Sequence, residues 1–138
     1  DQGVLVRVTA DIVGARPIDL AIIEGIETNR GGEGPWCKGV EALTPKLLIV
    51  GRNPVCTDAV ATAVMGYDPL AGHGAFPFPG ENHLLLLHRM GVGQLDPKRI
   101  EVRGLTIKEA LFPFNPKRVP LDYPTAIYSR PALYAAFA

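Results

Sequence analysis

The sequence has few cysteines, no excess of charge of either sign and no long hydrophobic run. Two cysteines among 138 residues are too few for a disulfide scaffold or a four-cysteine metal cluster. Fourteen basic and fourteen acidic residues cancel, so the composition carries no electrostatic signature of nucleic-acid binding. Apolar runs such as Leu47–Val50 and Leu84–Leu87 are far shorter than the ~20 residues of a membrane span. We therefore expect no nucleic-acid partner and no membrane span.

Glycine and proline are abundant instead, with 15 and 13 residues, and they mark turns along the chain. Prolines recur through the last part, at positions 113, 116, 120, 124 and 131. Proline lacks a backbone donor and is disfavoured in helix interiors and central strands. We therefore expect residues 1–111 to form the folded domain. Residues 112–138 are expected to be an extended proline-rich arm that packs on the domain or on a partner.

Short apolar runs bounded by turn residues predict buried strands at Leu20–Glu24 and Leu47–Val50. The second run is continuously apolar, which is typical of a strand covered on both faces. A third, shorter strand is expected at Ile100–Arg103, while Gly3–Asp11 fits either a strand or the end of a helix. The order of these elements predicts an α/β fold, with a small mixed or parallel sheet and helices packed on it. We expect the first two strands to be neighbours in that sheet.

Two helix starts are marked by asparagine. Asn53 followed by Pro54 supplies an N-cap acceptor and a proline at the first helical position, and the helix should stop at Gly66. Asn82 is expected to cap a second helix, His83–Met90. Its four consecutive leucines cover every side of the helix, which predicts that it lies between other elements or against a partner.

Polar and glycine residues follow both predicted strands. If the strands are parallel, their carboxyl ends share one edge of the sheet, where ligands bind in open α/β sheets. Glycine amides can cradle an anion, and carboxylates ligate hard cations. We therefore expect a small anionic or metal-bound ligand at these loops. The residues expected to line the site are Glu24, Gly31, Gly32, Glu33, Gly34, Trp36, Asn53 and Asp58.

Each part of this candidate site also has a purely structural interpretation. The glycine loop, residues 31–34, can be a tight turn plugged by Pro35 and Trp36. Asp58 lies near a predicted helix start, where a negative charge is favoured by about 0.3–1 kcal/mol. These alternatives remain open from the sequence.

The two cysteines lie on the same two loops. Cys56 is close to a predicted helix start, which can lower the pKa of a thiol and raise its reactivity. If the strands are parallel neighbours, Cys37 and Cys56 can approach each other and act as a redox pair. Alternatively, both are buried and act as small hydrophobic residues, as free cysteines usually do.

Four sequence blocks follow one another between residues 20 and 104: LAIIEGI, GGEGPWCKG, LLIVGRNPVCTDAVATAVMGYDP and HLLLLHRMGVGQLDPKRIEVRG. In this combination they resemble the domain-of-unknown-function family 362. The resemblance implies that the chain is the C-terminal part of a longer α/β domain. Some members carry an iron–sulfur module, but this chain lacks the cysteine runs that such a module needs, so no iron–sulfur cluster is expected. The resemblance names no reaction, substrate or other cofactor.

Two functions follow from these observations. The first is binding of a small anionic or metal-bound ligand at the strand-end loops, with a redox-linked role by analogy with cluster-bearing relatives. The second is a non-catalytic assembly or interaction module, suggested by the leucine helix and by the aromatic, proline-rich segments Phe76–Pro79 and Phe112–Phe137. In the second case, the expected partner is another copy of the chain or the missing N-terminal part of the domain.

Overall fold

The structure, a computed structural model, describes residues 2–32, 34, 36–78, 80–115 and 135–136. It contains helices and short strands, so the predicted α/β class is confirmed. In chain order the elements are α1 (Gln2–Ala15), β1 (Ala21–Gly25), β2 (Thr28–Arg30), β3 (Glu41–Leu43), β4 (Leu47–Gly51), α2 (Pro54–Val64), α3 (His83–Arg89), a 3-10 turn (Pro97–Arg99), β5 (Val102–Arg103), α4 (Ile107–Ala110) and β6 (Ala135–Ala136). Within these ranges, no helix combines the length and the apolar character that crossing a bilayer requires.

The two predicted apolar strands pair directly, which confirms that they are neighbours. β1 and β4 are antiparallel, with Ala21 opposite Gly51 and Gly25 opposite Leu47. The parallel arrangement on which the predicted site depended is therefore wrong. A parallel pair needs a crossover, usually through a helix, whereas residues 26–46 form a second strand pair that folds back on itself.

β1 to β4 form one long ribbon that bends at a bulge. Beyond β1 and β4, the pairing continues with Thr28 opposite Leu43 in β2 and β3. At the junction, the Lys46 amide donates to the Ile26 oxygen at 3.3 Å. Between the two paired segments, residues 26–27 on one strand lie opposite the three residues 44–46 on the other strand. Lys46 has a positive φ of 57°. An extra residue on one strand with left-handed backbone is the signature of a β-bulge, which bends the ribbon.

α2 packs on one face of β1–β4, called here the inner face. The Asn53 side chain accepts a hydrogen bond from the Cys56 amide at 3.0 Å, and Pro54 occupies the first helical position. The chain leaves the helix at Gly66 with a φ of 82°, a value that glycine adopts without a steric penalty. The predicted start and end of this helix are confirmed. Small residues along it bring the helix close to the strands; Ala59 and Ala63 are fully buried.

α3 lies between α1 and α2, as its leucines predict. Leu84 and Leu87 are buried in two neighbouring clusters, one with α2 and one with Ala10 of α1. Asn82 is buried at the helix start: its oxygen accepts from the Leu84 amide, and its Nδ2 donates to the carbonyls of residues 69 and 71 at 2.9 Å. The Gly3–Asp11 segment is helical, since it belongs to α1.

The C-terminal elements close the other end of the layer. The predicted strand Ile100–Arg103 is shorter in the structure, where β5 pairs antiparallel with β6. The first residues of the predicted arm lie against the C-terminal end of α2. The Phe112 amide donates to the Val64 oxygen at 2.9 Å, and the Phe114 amide donates to the Met65 oxygen at 3.0 Å. The rest of the arm, residues 116–134 and 137–138, lies outside the described residues.

Candidate functional site

The two carboxylates expected to converge lie on opposite sides of the β1–β4 pair. Glu24 is exposed on the outer face, the face turned away from α2, and its carboxylate accepts from the Ile26 amide. Asp58 is half-buried in the second turn of α2, on the inner side. Burial raises the pKa of Asp58, and the charge of His83, the first residue of α3, lowers it by a smaller amount. The expectation that Glu24 and Asp58 share one concave surface is therefore wrong.

The glycine loop forms the tip of the ribbon and folds tightly on itself. A Cβ at Gly31 would come within 2.8 Å of the Gly39 oxygen, and one at Gly32 would overlap Cys37. Gly34 is buried beneath the ring of Trp36, which is itself 78% exposed. These contacts favour the structural interpretation of the loop, although Trp36 covers the loop from outside rather than plugging it. Glu33 and Pro35 lie outside the described residues.

Asn53 has its polar atoms occupied by the fold. Besides capping α2, its Nδ2 donates to the Val92 oxygen at 2.7 Å. The residue borders a cavity of about 250 Å³ that Val13, Gly14 and Pro17 also line. Neither Glu24 nor Asp58 lines this cavity, so Asn53 does not join the predicted carboxylates there.

The two thiols lie on different elements. Cys56 is in the first turn of α2, whereas Cys37 is on the ribbon tip, which Arg30 connects to the Phe114 oxygen beyond the last turn of the helix. From Cys56 to Val64 the helix rises about 12 Å, more than the ~7 Å limit for a bridge. Both thiols are free in the structure, and their action as a redox pair stays a prediction.

The burial of Cys56 argues against its expected reactivity. Burial raises the pKa of the Cys56 thiol, and backbone hydrogen bonds from Gln94 and from Cys56 itself lower it by less. A buried thiol with a raised pKa presents little thiolate, the reactive form. Desolvation therefore outweighs the proximity of the helix start.

The residues predicted to bind a ligand are thus distributed over the ribbon tip, the outer face and the start of α2. Among the residues that the structure describes, no three His, Cys, Asp or Glu side chains are grouped so as to hold a metal ion. Comparisons of the chain with protein-family models, with curated proteins and with solved structures find no match. Ligand binding at these loops and the resemblance to family 362 stay predictions.

A different cavity, of about 180 Å³, lies beside Glu24. It is bounded by the inner face of β1 and β4, the C-terminal end of α2, and the rings of Phe112 and Phe114. Apart from Thr28 and Glu24, whose carboxylate is turned to the outer face and accepts from the Ile26 amide, the residues that line it are apolar. Its chemistry suits a small apolar molecule better than the anion that the glycine loop suggested.

The outer face of the strand pair is apolar and exposed, whereas the continuous apolar run Leu47–Val50 predicted a strand covered on both faces. In an antiparallel sheet, one face normally packs on the core and the other carries polar residues. Here Leu20, Ile22 and Leu48 are 55%, 59% and 45% exposed on the outer face, with Glu24 between them. The sequence indicates this apolar outer face, because both strands carry apolar residues at consecutive positions. When the side chains of one face pack on α2, those of the other face are therefore apolar as well.

A second exposed apolar surface lies on α1. The residues that share this stripe are Val4, Leu5, Val8 and Ile12. Their spacing places them on one side of the helix, opposite the side on which Ala10 packs against α3. The described part of the molecule therefore exposes large apolar side chains on both a strand face and a helix face.

Proposed function

We propose that this chain is a non-catalytic assembly module that docks another polypeptide on the outer face of β1–β4. The observation that carries the proposal is the exposure of Leu20, Ile22 and Leu48 on that face. Single exposed apolar residues are common, but a contiguous patch is typical of an interaction surface. The three side chains are contiguous because Ile22 and Leu48 lie diagonally across the strand pair and Leu20 is two residues from Ile22.

The alternation of side chains between the two faces of β1 and β4 supports the same function. Leu47 and Ile49 pack in the core that surrounds α2, and Ile23 is half-buried on the same face, so the inner face is already covered. On the outer face, Ile22 and Leu48 are 59% and 45% exposed, and neither belongs to a core cluster. Burying these side chains against a partner would remove apolar surface from water at roughly 25 cal/mol per Å².

The test combines an apolar fluorescent dye with light scattering on the purified protein. We expect the parent chain either to bind the dye or to self-associate, because water-exposed apolar surface promotes both. The double variant Ile22→Lys, Leu48→Lys should lower both signals. Trp36→Lys is the matched control, since Trp36 is more exposed than either residue but lies on the ribbon tip. Near-ultraviolet circular dichroism verifies that each variant keeps its packed core.

A clear result would overturn the proposal. If the parent is a monodisperse monomer that binds no dye, the outer face is not a docking surface. The same conclusion follows if Trp36→Lys lowers the two signals as much as the double variant does.

A further inference from the structure

We infer that a second copy of the chain joins this surface at its edge, through antiparallel pairing of β1 with β1 across a two-fold axis at Ile22. This inference rests on the proposed function, and it adds the partner, the edge and the register. Three observations carry it: the unpaired edge of β1, the parity of its side chains, and two charged residues placed to meet across the axis.

The outer edge of β1 has backbone groups available for another strand. In the described residues, β1 pairs with β4 alone. Gly25 lies opposite Leu47, whose oxygen is turned towards it and would be 3.5 Å from a Cβ on Gly25, so the backbone groups of Ala21, Ile23 and Gly25 face β4. Those of Ile22 and Glu24 therefore point away from β4. An edge of this kind is a template for strand addition.

The register follows from side-chain parity. For the two outer faces to form one surface, outward residues must lie opposite outward residues, since a shift by one position reverses the faces. Centring the axis on Ile22 meets this condition and places Ile22 opposite the partner's Ile22, where both strands offer free backbone groups. The two exposed apolar patches join across the axis into one.

Charge supports the same register. Arg52 follows β4 by one residue and is exposed; continuing the ladder places it level with Leu20 on the outer face. In the inferred dimer, the partner's Glu24 lies opposite Leu20. Its Cα is then about 10 Å, two strand spacings, from that of Arg52, a gap that the two side chains can bridge above Leu20. Among the described residues, neither Arg52 nor Glu24 makes an ion pair.

Cysteine cross-linking tests the axis. Paired residues at a hydrogen-bonded position have Cα atoms ~5.5 Å apart, within the range for a disulfide. We expect Ile22→Cys, in a Cys37→Ser background, to form a covalent dimer under mild oxidation, with the bridge located by mass spectrometry. Leu48→Cys is the control: it lies on the same face but away from the axis, and it should not cross-link to itself.

The outcomes separate this inference from the proposed function. Association without an Ile22→Cys cross-link overturns pairing through β1 but leaves the docking face in place. A monomer that binds the apolar dye also overturns the second copy and supports a different polypeptide partner. A monomer that binds no dye overturns both.

A charge reversal tests the register by a second route. Glu24→Arg and Arg52→Glu should each raise the dissociation constant of the dimer about tenfold, because each places like charges opposite one another. The double variant restores the opposite charges and should return the dissociation constant towards that of the parent. If the double variant is as weak as the two single changes combined, the register centred on Ile22 is wrong. Thermal unfolding of each variant controls for loss of the fold.

Discussion

The Asn53 side chain links the start of α2 to the segment that follows α3, because its Nδ2 donates to the Val92 oxygen at 2.7 Å. The next residue, Gly93, is held from the other side, where His88 Nδ1 donates to its oxygen at 2.8 Å. The two side chains thus fix one short segment between the two helices. The residue that the sequence suggested as a ligand contact has a structural role at this junction.

Replacing Asn53 by alanine should therefore lower the stability of the protein. We expect a loss of about 1–3 kcal/mol, since the variant loses the helix cap and leaves the Val92 oxygen without its donor. Urea unfolding at neutral pH measures the change. Asn53→Ser is the matched variant: its hydroxyl keeps a capping acceptor and places no second oxygen against the Val92 carbonyl, so its loss should be smaller. An alanine variant as stable as the parent would contradict this role.

Gly93 should not tolerate a side chain. A Cβ at this position would overlap the Asn53 Oδ1 and come within 2.8 Å of the Val55 Cβ. Val55 is fully buried, so the clash cannot be relieved by a shift into solvent. We expect Gly93→Ala to cost about 1–3 kcal/mol. Gly72→Ala is the control, because nothing lies within 4 Å of its added Cβ; equal stabilities for the two variants would refute the prediction.

The pKa of Asp58 should make stability depend on pH. Because burial raises this pKa, the folded state binds the proton more tightly than the unfolded state does. The stabilising contribution of protonated Asp58 to the free energy of unfolding is fully present below the ordinary carboxyl pKa of about 3.9. It is lost as the pH rises through the raised value. Asp58→Asn lacks this loss and should gain stability relative to the parent over that interval.

Denaturant unfolding of both proteins across a pH series checks the Asp58 prediction. His83→Gln provides a second readout: the charge of His83 lowers the pKa of Asp58, so its removal should extend the loss to higher pH. Parallel stability profiles for the parent and Asp58→Asn would show that the carboxyl does not titrate as proposed.

The thiols should react in the order opposite to the one that the helix start suggested. Cys37 is partly exposed on the ribbon tip, whereas Cys56 is buried and has a raised pKa. We expect iodoacetamide to modify Cys37 in the native protein and Cys56 only in denaturant, as mass spectrometry of the labelled peptides will show. In Cys37→Ser, native labelling should disappear. Faster modification of Cys56 than of Cys37 in the native parent would rule out this order.

The helices of this fold could be predicted well because their boundaries depend on local chemistry. An asparagine followed by proline, a buried asparagine before a leucine run, and glycines after the last turns specify α2 and α3 without knowledge of distant residues. The apolar strands β1 and β4 were also found from their composition. Each of these signals acts within a few residues.

The strand direction and the candidate site could not be predicted, because they depend on the connection between the strands. β2 and β3 have three residues each, and the sequences Thr-Asn-Arg and Glu-Ala-Leu carry no strong strand pattern. Missing them left residues 26–46 without structure and allowed a parallel pair. The bulge at Lys46 has no sequence signal either, since a non-glycine residue with positive φ is uncommon. The prediction that Glu24 and Asp58 share one site depended on a parallel strand pair, so it was wrong for the same reason as the strand direction.

The ribbon also determines the order in which the molecule can fold. Arg52 and Asn53 alone separate β4 from α2, so these two elements can pack with almost no loss of chain entropy. β1 contacts β4 only after the intervening loop has closed, since Ala21 pairs with Gly51. Contacts between residues distant in sequence form late and slow the overall rate. We therefore expect β1 to join a pre-formed β4–α2 unit, so that substitutions in β1 act on the unfolding rate more than on the folding rate.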